Sequence, residues 1–143
     1  MNRRHFLMLT AALPATITLA TAALATAARA GATLDYAPGV AEAAMDEGRV
    51  ILLDFKASWC TTCAAQERVL NALRAKNPAY DAAITFINVD WDQYGDGDLV
   101  RDMKIPRRST LVLMKGRTEL ARIVAGTGRA EIAALLDQGV AAA

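Results

Sequence analysis

The sequence predicts an α/β fold, a three-layer sandwich in which a central mixed sheet of four to five strands is flanked by helices. Helix-like and strand-like segments alternate along residues 31–143 in the order βαβαββα, after one short leading helix. This order is typical of a sheet with right-handed parallel crossovers. No repeat or low-complexity linker divides the region, so we expect a single domain.

Residues 1–30 have the composition of an export signal. The arginine pair of "NRRHFLM" precedes an uncharged stretch from Phe6 to Ala28, and Ala28-Arg29-Ala30 matches a small-residue cleavage site. This start is similar to a twin-arginine signal, with a general secretory signal as the alternative. The uncharged stretch also has the length of a membrane span, so an uncleaved N-terminal anchor is a further alternative. We therefore expect export to the periplasm.

The charge of the mature chain excludes one class of partner. Loss of residues 1–30 removes three arginines and no acids, which lowers the formal net charge from +1 to −2. We therefore expect no nucleic-acid partner. The single histidine, His5, is lost with the signal, so no imidazole remains for metal binding, haem ligation or general base catalysis.

The first elements of the domain lead to a pair of cysteines. Val40–Glu47 predicts a short helix that ends at Gly48, and "VILLDFKA" over Val50–Ala57 predicts a buried strand. A helix from Cys60 to about Ala75 follows, and Asn77-Pro78 ends it. Its buried face is expected to carry Cys63, Val69, Leu70 and Leu73. The remaining surface is expected to carry Gln66, Glu67, Arg68 and Arg74.

The second half of the domain predicts two further helices and three strands. Ala83–Asp90 is a strand, and Asp90–Asp98 is a solvated acidic loop, because its resemblance to a calcium loop fails at Arg101, where a glutamate is needed. The next elements are a helix over Asp98–Lys104, a hairpin of "STLVLMK" and "ELARIVAG" around Lys115-Gly116-Arg117, and a closing helix capped by Thr127. That last helix is expected to bury Ile132, Leu135 and Leu136.

Cys60 and Cys63 are the only cysteines, and their spacing favours redox chemistry. A bridge between them closes a very small loop, so it stabilises the fold by less than the roughly 3 kcal/mol of a 15-residue loop. At a helix N-terminus, however, Cys60 gains a stabilised thiolate, and Cys63 lies one turn later, within disulfide reach. We expect Cys60 to attack and Cys63 to resolve the mixed disulfide. The alternative is a metal- or cluster-binding protein, which needs a dimer or outside ligands.

"LLDFKASWCTTC" resembles the strand and WCxxC active site of the thioredoxin superfamily, with Trp59, Cys60 and Cys63 at the motif positions. The similarity in element order covers nearly all of residues 34–140 and extends to periplasmic thioredoxins and the C-terminal domain of DsbD. It implies a thioredoxin-like fold and a protein disulfide reductase or oxidoreductase. It also implies that no cofactor is needed beyond the Cys60–Cys63 disulfide.

The resemblance assigns a proton relay to Asp54. Leu52, Leu53 and Phe55 around it favour burial, which disfavours the charged carboxylate and should raise the pKa of Asp54. In the family, a buried acid at this position exchanges a proton with the resolving cysteine, which is Cys63 in this sequence. Phe86 occupies the aligned place of the lysine that often partners this acid, so we expect that lysine to be missing.

The sequence departs from the family at the cis-proline that usually faces the cysteines. An ungapped alignment of "STLVLMKG" places Ser109 there, so the loop before it should be rebuilt or trans, because a non-proline cis bond costs roughly 2.5–4 kcal/mol. The alternative aligns Ile105-Pro106 and requires an insertion of residues 107–109. In the preferred alignment, the N–H and hydroxyl of Ser109 become donors for a thiolate or a substrate backbone.

The remaining candidate site residues surround the cysteines. Six residues are expected to bind the substrate in a groove: Trp59, Thr61, Thr62, Arg108, Ser109 and Thr110. Thr61 and Thr62 stand between the cysteines, at positions where strongly oxidising relatives carry a histidine that stabilises the thiolate. Threonine hydroxyls stabilise the thiolate less, so we expect a middling to reducing potential and therefore a reductant. A DsbA-like oxidant is the alternative. The expected partners are disulfides of exported proteins and an upstream dithiol donor, for which a membrane protein is a candidate. We expect the protein to be a monomer.

Overall fold

The structure is a computed structural model that describes residues 33–143. Five strands form a central mixed sheet with helices on both faces, which confirms the predicted fold class. The strands are β1 (Thr33–Asp35), β2 (Val50–Lys56), β3 (Thr85–Asp90), β4 (Thr110–Lys115) and β5 (Thr118–Val124). The helices are α1 (Val40–Asp46), α2 (Thr61–Lys76), α3 (Pro78–Ala83), α4 (Trp91–Tyr94), α5 (Asp98–Asp102) and α6 (Arg129–Ala142).

The predicted export signal lies outside the described residues. Across residues 33–143, each helix is too short or too polar to cross a membrane.

The sheet has the strand order β1-β3-β2-β4-β5. β1, β2 and β3 are parallel, whereas β4 is antiparallel to both β2 and β5. β2 therefore lies at the centre, which explains why its sequence is almost continuously apolar. The predicted hairpin of β4 and β5 is confirmed. Its turn uses Gly116 at φ 54°, where a Cβ would lie 3.3 Å from the carbonyl oxygen of Met45.

The sheet separates two hydrophobic cores. Because side chains alternate along a strand, Ile51, Leu53 and Phe55 pack on the face that α1 and α5 cover. Leu52 packs on the opposite face, beneath α2, α3 and α6. The same alternation places Asp54, the one acid within β2, on the α2 side of the sheet.

Three short elements are missing from the sequence prediction. Asn77 and Pro78 end α2 as predicted, but the Asn77 side chain also accepts the N–H of Ala79 and starts α3. The acidic stretch after β3 is not a loop throughout, because Asp90 caps α4 by accepting the N–H of Asp92. β1 pairs only with β3, which is distant in sequence, so no local pattern indicates this strand.

Two helix starts differ from the prediction. Cys60 is the N-cap of α2, and Thr61 is the first helical residue. The prediction that Thr127 caps α6 is wrong, because the chain is still extended at Gly128, which is the N-cap and offers no side chain. The predicted apolar face of α6 is confirmed, and it buries Ile132, Leu135 and Leu136.

Candidate active site

The cysteine pair lies where the central strand β2 leads into helix α2. Cys60 and Cys63 form a disulfide with their Cα atoms 5.3 Å apart, and both residues are buried. The backbone N–H of Cys63 donates to Sγ of Cys60 at 3.1 Å. The first N–H groups of a helix lack intrahelical acceptors and carry partial positive charge, so this position stabilises negative charge on Cys60.

Ser109 is the residue immediately before β4, and its side chain faces both sulfurs. It is fully buried, and its Oγ lies 3.1 Å from Sγ of Cys60 and 3.1 Å from Sγ of Cys63. Disulfide sulfurs have no hydrogen to donate, so the single hydroxyl hydrogen points to one sulfur at a time. Every described peptide bond is trans, and Ser109 has a φ of 61°, in the left-handed region. The loop is therefore rebuilt without a cis bond.

The backbone of Ser109 is fully occupied by the fold. Its N–H donates to the carbonyl of Phe55 at 2.7 Å, and its carbonyl accepts the N–H of Ala125 at 2.8 Å. The expectation that this N–H serves a thiolate or a substrate is therefore wrong, because β2 already uses it. Only the hydroxyl group remains for chemistry at the sulfurs.

Gln66 is a buried polar residue that the helix pattern did not identify. The sequence placed it away from the buried face of α2, but it is completely buried. Its Nε2 donates to the carbonyl of Ser109 at 3.1 Å and to that of Gly126 at 2.8 Å, while its Oε1 has no partner. The available signal was spacing, since Gln66 follows Cys63 by three residues and therefore shares its helix face.

Asp54 is a buried carboxyl group on β2. Burial disfavours the charged form and raises the pKa of Asp54 to about 6, although the nearby Lys56 ammonium lowers it and the Glu67 carboxylate raises it. Its Oδ1 has no hydrogen-bond partner. Asp54 lines a cavity of about 190 Å³ together with Lys56, Glu67 and Asn88.

A lysine lies beside Asp54 even though the aligned family position holds Phe86. Lys56 follows Asp54 by two residues on the same face of β2, and its Nζ lies 3.8 Å from Oδ2 of Asp54. The same ammonium is 2.7 Å from Oε1 of Glu67. The expected loss of a lysine partner is thus compensated by a lysine from the acid's own strand.

The exposed wall of the site is built around Trp59. This residue is 57% exposed, and its Nε1–H donates to both carboxylate oxygens of Asp92 at 3.0 Å. The Arg108 guanidinium lies 4.3 Å from the ring centre on the ring face, a favourable cation–π arrangement. Thr61 is exposed and Thr62 half-buried, so both are placed at the surface beside the cysteines.

Thr110 does not join this exposed wall. It is fully buried, and its hydroxyl donates to the carbonyl of Arg107 at 2.8 Å. Its role in the structure is to hold the loop that carries Arg108 and Ser109.

A central strand, a CxxC motif at a helix start and a facing loop form the arrangement that the resemblance to thioredoxins implied. The thioredoxin family model matches residues 39–138. The chain belongs to the thioredoxin family.

Several thioredoxins resemble the chain in sequence or structure. "Thioredoxin H-type" of Fagopyrum esculentum is 32% identical over 81 residues, which are 57% of this chain and 65% of that protein. The chain thus spans less than two thirds of this curated relative. Trxlp of Edwardsiella tarda is 26% identical, with a TM-score of 0.65, covering 73% of this chain and 98% of that one. The thioredoxin of Fasciola hepatica is 25% identical, with a TM-score of 0.56, covering 69% and 90%.

Thioredoxins need no cofactor, because the cysteine pair itself is the redox group. Residues 33–143 contain no cluster of three or more histidine, cysteine, aspartate or glutamate side chains that could hold a metal ion. The acids of the former calcium-loop candidate have structural contacts, since Asp90 caps α4 and Asp92 accepts from Trp59. A metal on Cys60 and Cys63 would therefore need ligands from outside this region.

Proposed function

We propose that this chain is an exported thiol–disulfide oxidoreductase that reduces disulfides in periplasmic proteins. The observation that supports it most directly is the Cys60–Cys63 disulfide at the N-terminus of α2, with N–H and O–H donors at the sulfurs. A disulfide buried deep in a core would be inert. This one lies beside the exposed Trp59 and the exposed Thr61, where a partner chain can approach.

The first step is attack by the reduced protein on a substrate disulfide. The Cys60 thiolate forms a bond to one substrate sulfur, and the substrate S–S bond breaks. The second substrate sulfur leaves with the electron pair of that bond and takes a proton from solvent. The product is a mixed disulfide between Cys60 and the substrate.

The second step releases the substrate. The Cys63 thiol gives its proton to the Asp54 carboxylate, and the resulting thiolate attacks Sγ of Cys60. The bond between Cys60 and the substrate breaks, the substrate sulfur leaves as a thiolate, and the Cys60–Cys63 disulfide forms. Two electrons have then passed from the cysteine pair to the substrate, and an upstream dithiol donor must return them.

The groove offers a partner a mixed surface. The exposed ring of Trp59 supplies apolar area, and Arg108 on its face supplies a positive charge. We propose that substrate segments dock across Trp59, Thr61, Thr62 and Arg108, with acidic segments favoured by the guanidinium. Thr61 and Thr62 provide no cation for the thiolate, which favours a reductant over an oxidant.

Site-directed cysteine variants test the proposed function. The purified protein should reduce a protein disulfide with a small dithiol as donor, and Cys60→Ser should abolish turnover. Cys63→Ser should accumulate a covalent mixed disulfide on Cys60, visible by mass, because the resolving thiol is missing. Unchanged turnover in Cys60→Ser would contradict the proposal, as would stoichiometric bound metal without any dithiol–disulfide exchange.

A further inference from the structure

We propose that Ser109 is a further catalytic residue, whose hydroxyl donates a hydrogen bond to the thiolate on Cys60 and then to the thiolate on Cys63. This inference rests on the exchange reaction proposed above. It assigns a chemical role to the position where the family usually has a proline, which carries no donor.

The distances support one donor that serves two sulfurs. Ser109 Oγ lies 3.1 Å from each of the sulfurs of Cys60 and Cys63. No other hydrogen bond to this hydroxyl is present in the described part of the chain. Rotation about the Cβ–Oγ bond therefore moves the hydrogen from one sulfur to the other, while the oxygen stays in place.

The strength of this hydrogen bond changes with the redox state. Disulfide sulfurs are neutral and weak acceptors, whereas a thiolate is charged and accepts a stronger hydrogen bond. The hydroxyl is fully buried, where the lower local dielectric strengthens the bond further. Ser109 thus stabilises the reduced form over the oxidised form, and it shifts the cysteine pair toward oxidising potentials relative to a chain without the hydroxyl.

The fold fixes the backbone of Ser109 so that its hydroxyl stays aimed at the sulfurs. Phe55 accepts its N–H, and Ala125 and the side chain of Gln66 donate to its carbonyl. Gln66 touches neither sulfur through any described hydrogen bond, so it is a positioning residue that acts through Ser109. The left-handed φ of 61° is held by these three contacts.

Ser109→Ala and Ser109→Gly test the role of the hydroxyl. Glycine tolerates the left-handed conformation and alanine does not, so an effect common to both variants reports the hydroxyl alone. Ser58→Ala, which removes an exposed hydroxyl two residues before Cys60, is the matched control. The readouts are the thiolate ultraviolet absorbance of the reduced protein and the equilibrium constant with glutathione.

Both Ser109 variants should lower the equilibrium ratio of thiolate to thiol on Cys60 at a fixed, near-neutral pH by about tenfold, because a hydrogen bond to a charged group is lost. The glutathione equilibrium should shift toward the oxidised protein by up to about tenfold, which is about 30 mV for a two-electron couple, because only the thiolate form of the reduced protein loses the hydrogen bond. Ser58→Ala should change neither readout. Wild-type values in folded Ser109→Gly would overturn the inference.

A double-mutant cycle tests Gln66 as the positioning residue. Gln66→Met should lower the thiolate fraction in the wild-type background and leave it unchanged in the Ser109→Gly background. Equal effects in both backgrounds would overturn the assignment to Gln66. The thiolate absorbance requires no substrate and no turnover, so a failure of this inference is distinguishable from a failure of the proposed function.

Discussion

At the scale of single residues, the pH dependence of this protein centres on Asp54. Burial raises its pKa from 3.8 to about 6, and the ammonium of Lys56 offsets only part of that effect. The folded protein therefore binds a proton on Asp54 more tightly than the unfolded chain does. Between about pH 4 and pH 6, the contribution of Asp54 to the stability of the fold falls as pH rises, because the unfolded chain ionises this carboxyl first.

We predict that Asp54→Asn raises the free energy of unfolding at neutral pH. The pKa shift of Asp54 from 3.8 to about 6 corresponds to about 3 kcal/mol, an upper value because the buried amide also needs hydrogen-bond partners. The gain over wild type should be near zero at about pH 4 and grow to its full size above about pH 6. Urea unfolding at a series of pH values measures it, and a gain independent of pH would contradict the assignment.

Lys56→Gln tests whether the ammonium of Lys56 influences the titration of Asp54. Loss of the ammonium removes the only attraction that lowers the pKa of Asp54, so that pKa should rise further. The upper end of the pH window over which stability falls should move upward in Lys56→Gln, whereas the lower end stays near pH 4, because the unfolded chain sets it. The window should vanish in the Lys56→Gln, Asp54→Asn double variant. An upper end that stays in place would mean that Lys56 is screened from the carboxyl group.

At the scale of elements, local pattern predicted the parts of the fold whose sequence carries their own signal. The apolar run of β2 and the hairpin around Gly116 were correctly predicted from the sequence. β1 is only three residues long and depends on pairing with β3, so its sequence carries too little signal. The helix start at α4 depends on a single cap, Asp90, which resembles any acidic loop residue.

The site also combines features that local sequence predicts with features that depend on tertiary contacts. Sequence spacing predicted the proximity of Cys60 and Cys63, and the buried strand predicted the raised pKa of Asp54. The contact between Gln66 and the loop carbonyls could not be predicted, because it joins α2 to the loops on either side of the β4–β5 hairpin. The contacts of the Ser109 hydroxyl with both sulfurs and of its N–H with β2 likewise depend on tertiary structure.

Helix α6 packs on the sheet through a glycine. A Cβ on Gly139 would lie 2.6 Å from Cδ1 of Ile84 and 3.1 Å from Cδ1 of Leu113, both of which are fully buried. We predict that Gly139→Ala destabilises the fold by about 1 kcal/mol. Overpacking costs about 1–3 kcal/mol, and the better helix propensity of alanine offsets about 1 kcal/mol.

Gly128→Ala is the control for that substitution at the other end of α6. Its Cβ would meet only Glu131, with ordinary contacts of 3.8 Å, and its φ of −66° suits alanine. Urea unfolding should therefore show a change near zero for Gly128→Ala and a loss for Gly139→Ala. A gain in stability for Gly139→Ala would mean that Ile84 repacks without strain.

At the scale of the whole molecule, the proposed cleavage leaves the fold intact. The described elements begin with β1 at Thr33, and cleavage after Ala30 would leave Gly31 and Ala32 ahead of that strand. Every helix and strand of the described region, the cysteine pair and the Ser109 loop would thus remain in the mature chain. We therefore propose that the export signal and the redox domain are separable parts of the sequence.

The export route gives the last prediction. A twin-arginine signal requires the arginine pair itself, whereas a general secretory signal requires only positive charge before the apolar stretch. Arg3→Lys with Arg4→Lys keeps that charge, so we expect this variant to remain in the cytoplasm at full length. The wild-type protein should appear in the periplasmic fraction of a bacterium with two membranes, with a mass that corresponds to a start at Gly31. Normal export of the lysine variant would indicate the general secretory route, and full-length wild-type protein in the membrane fraction would indicate an uncleaved anchor.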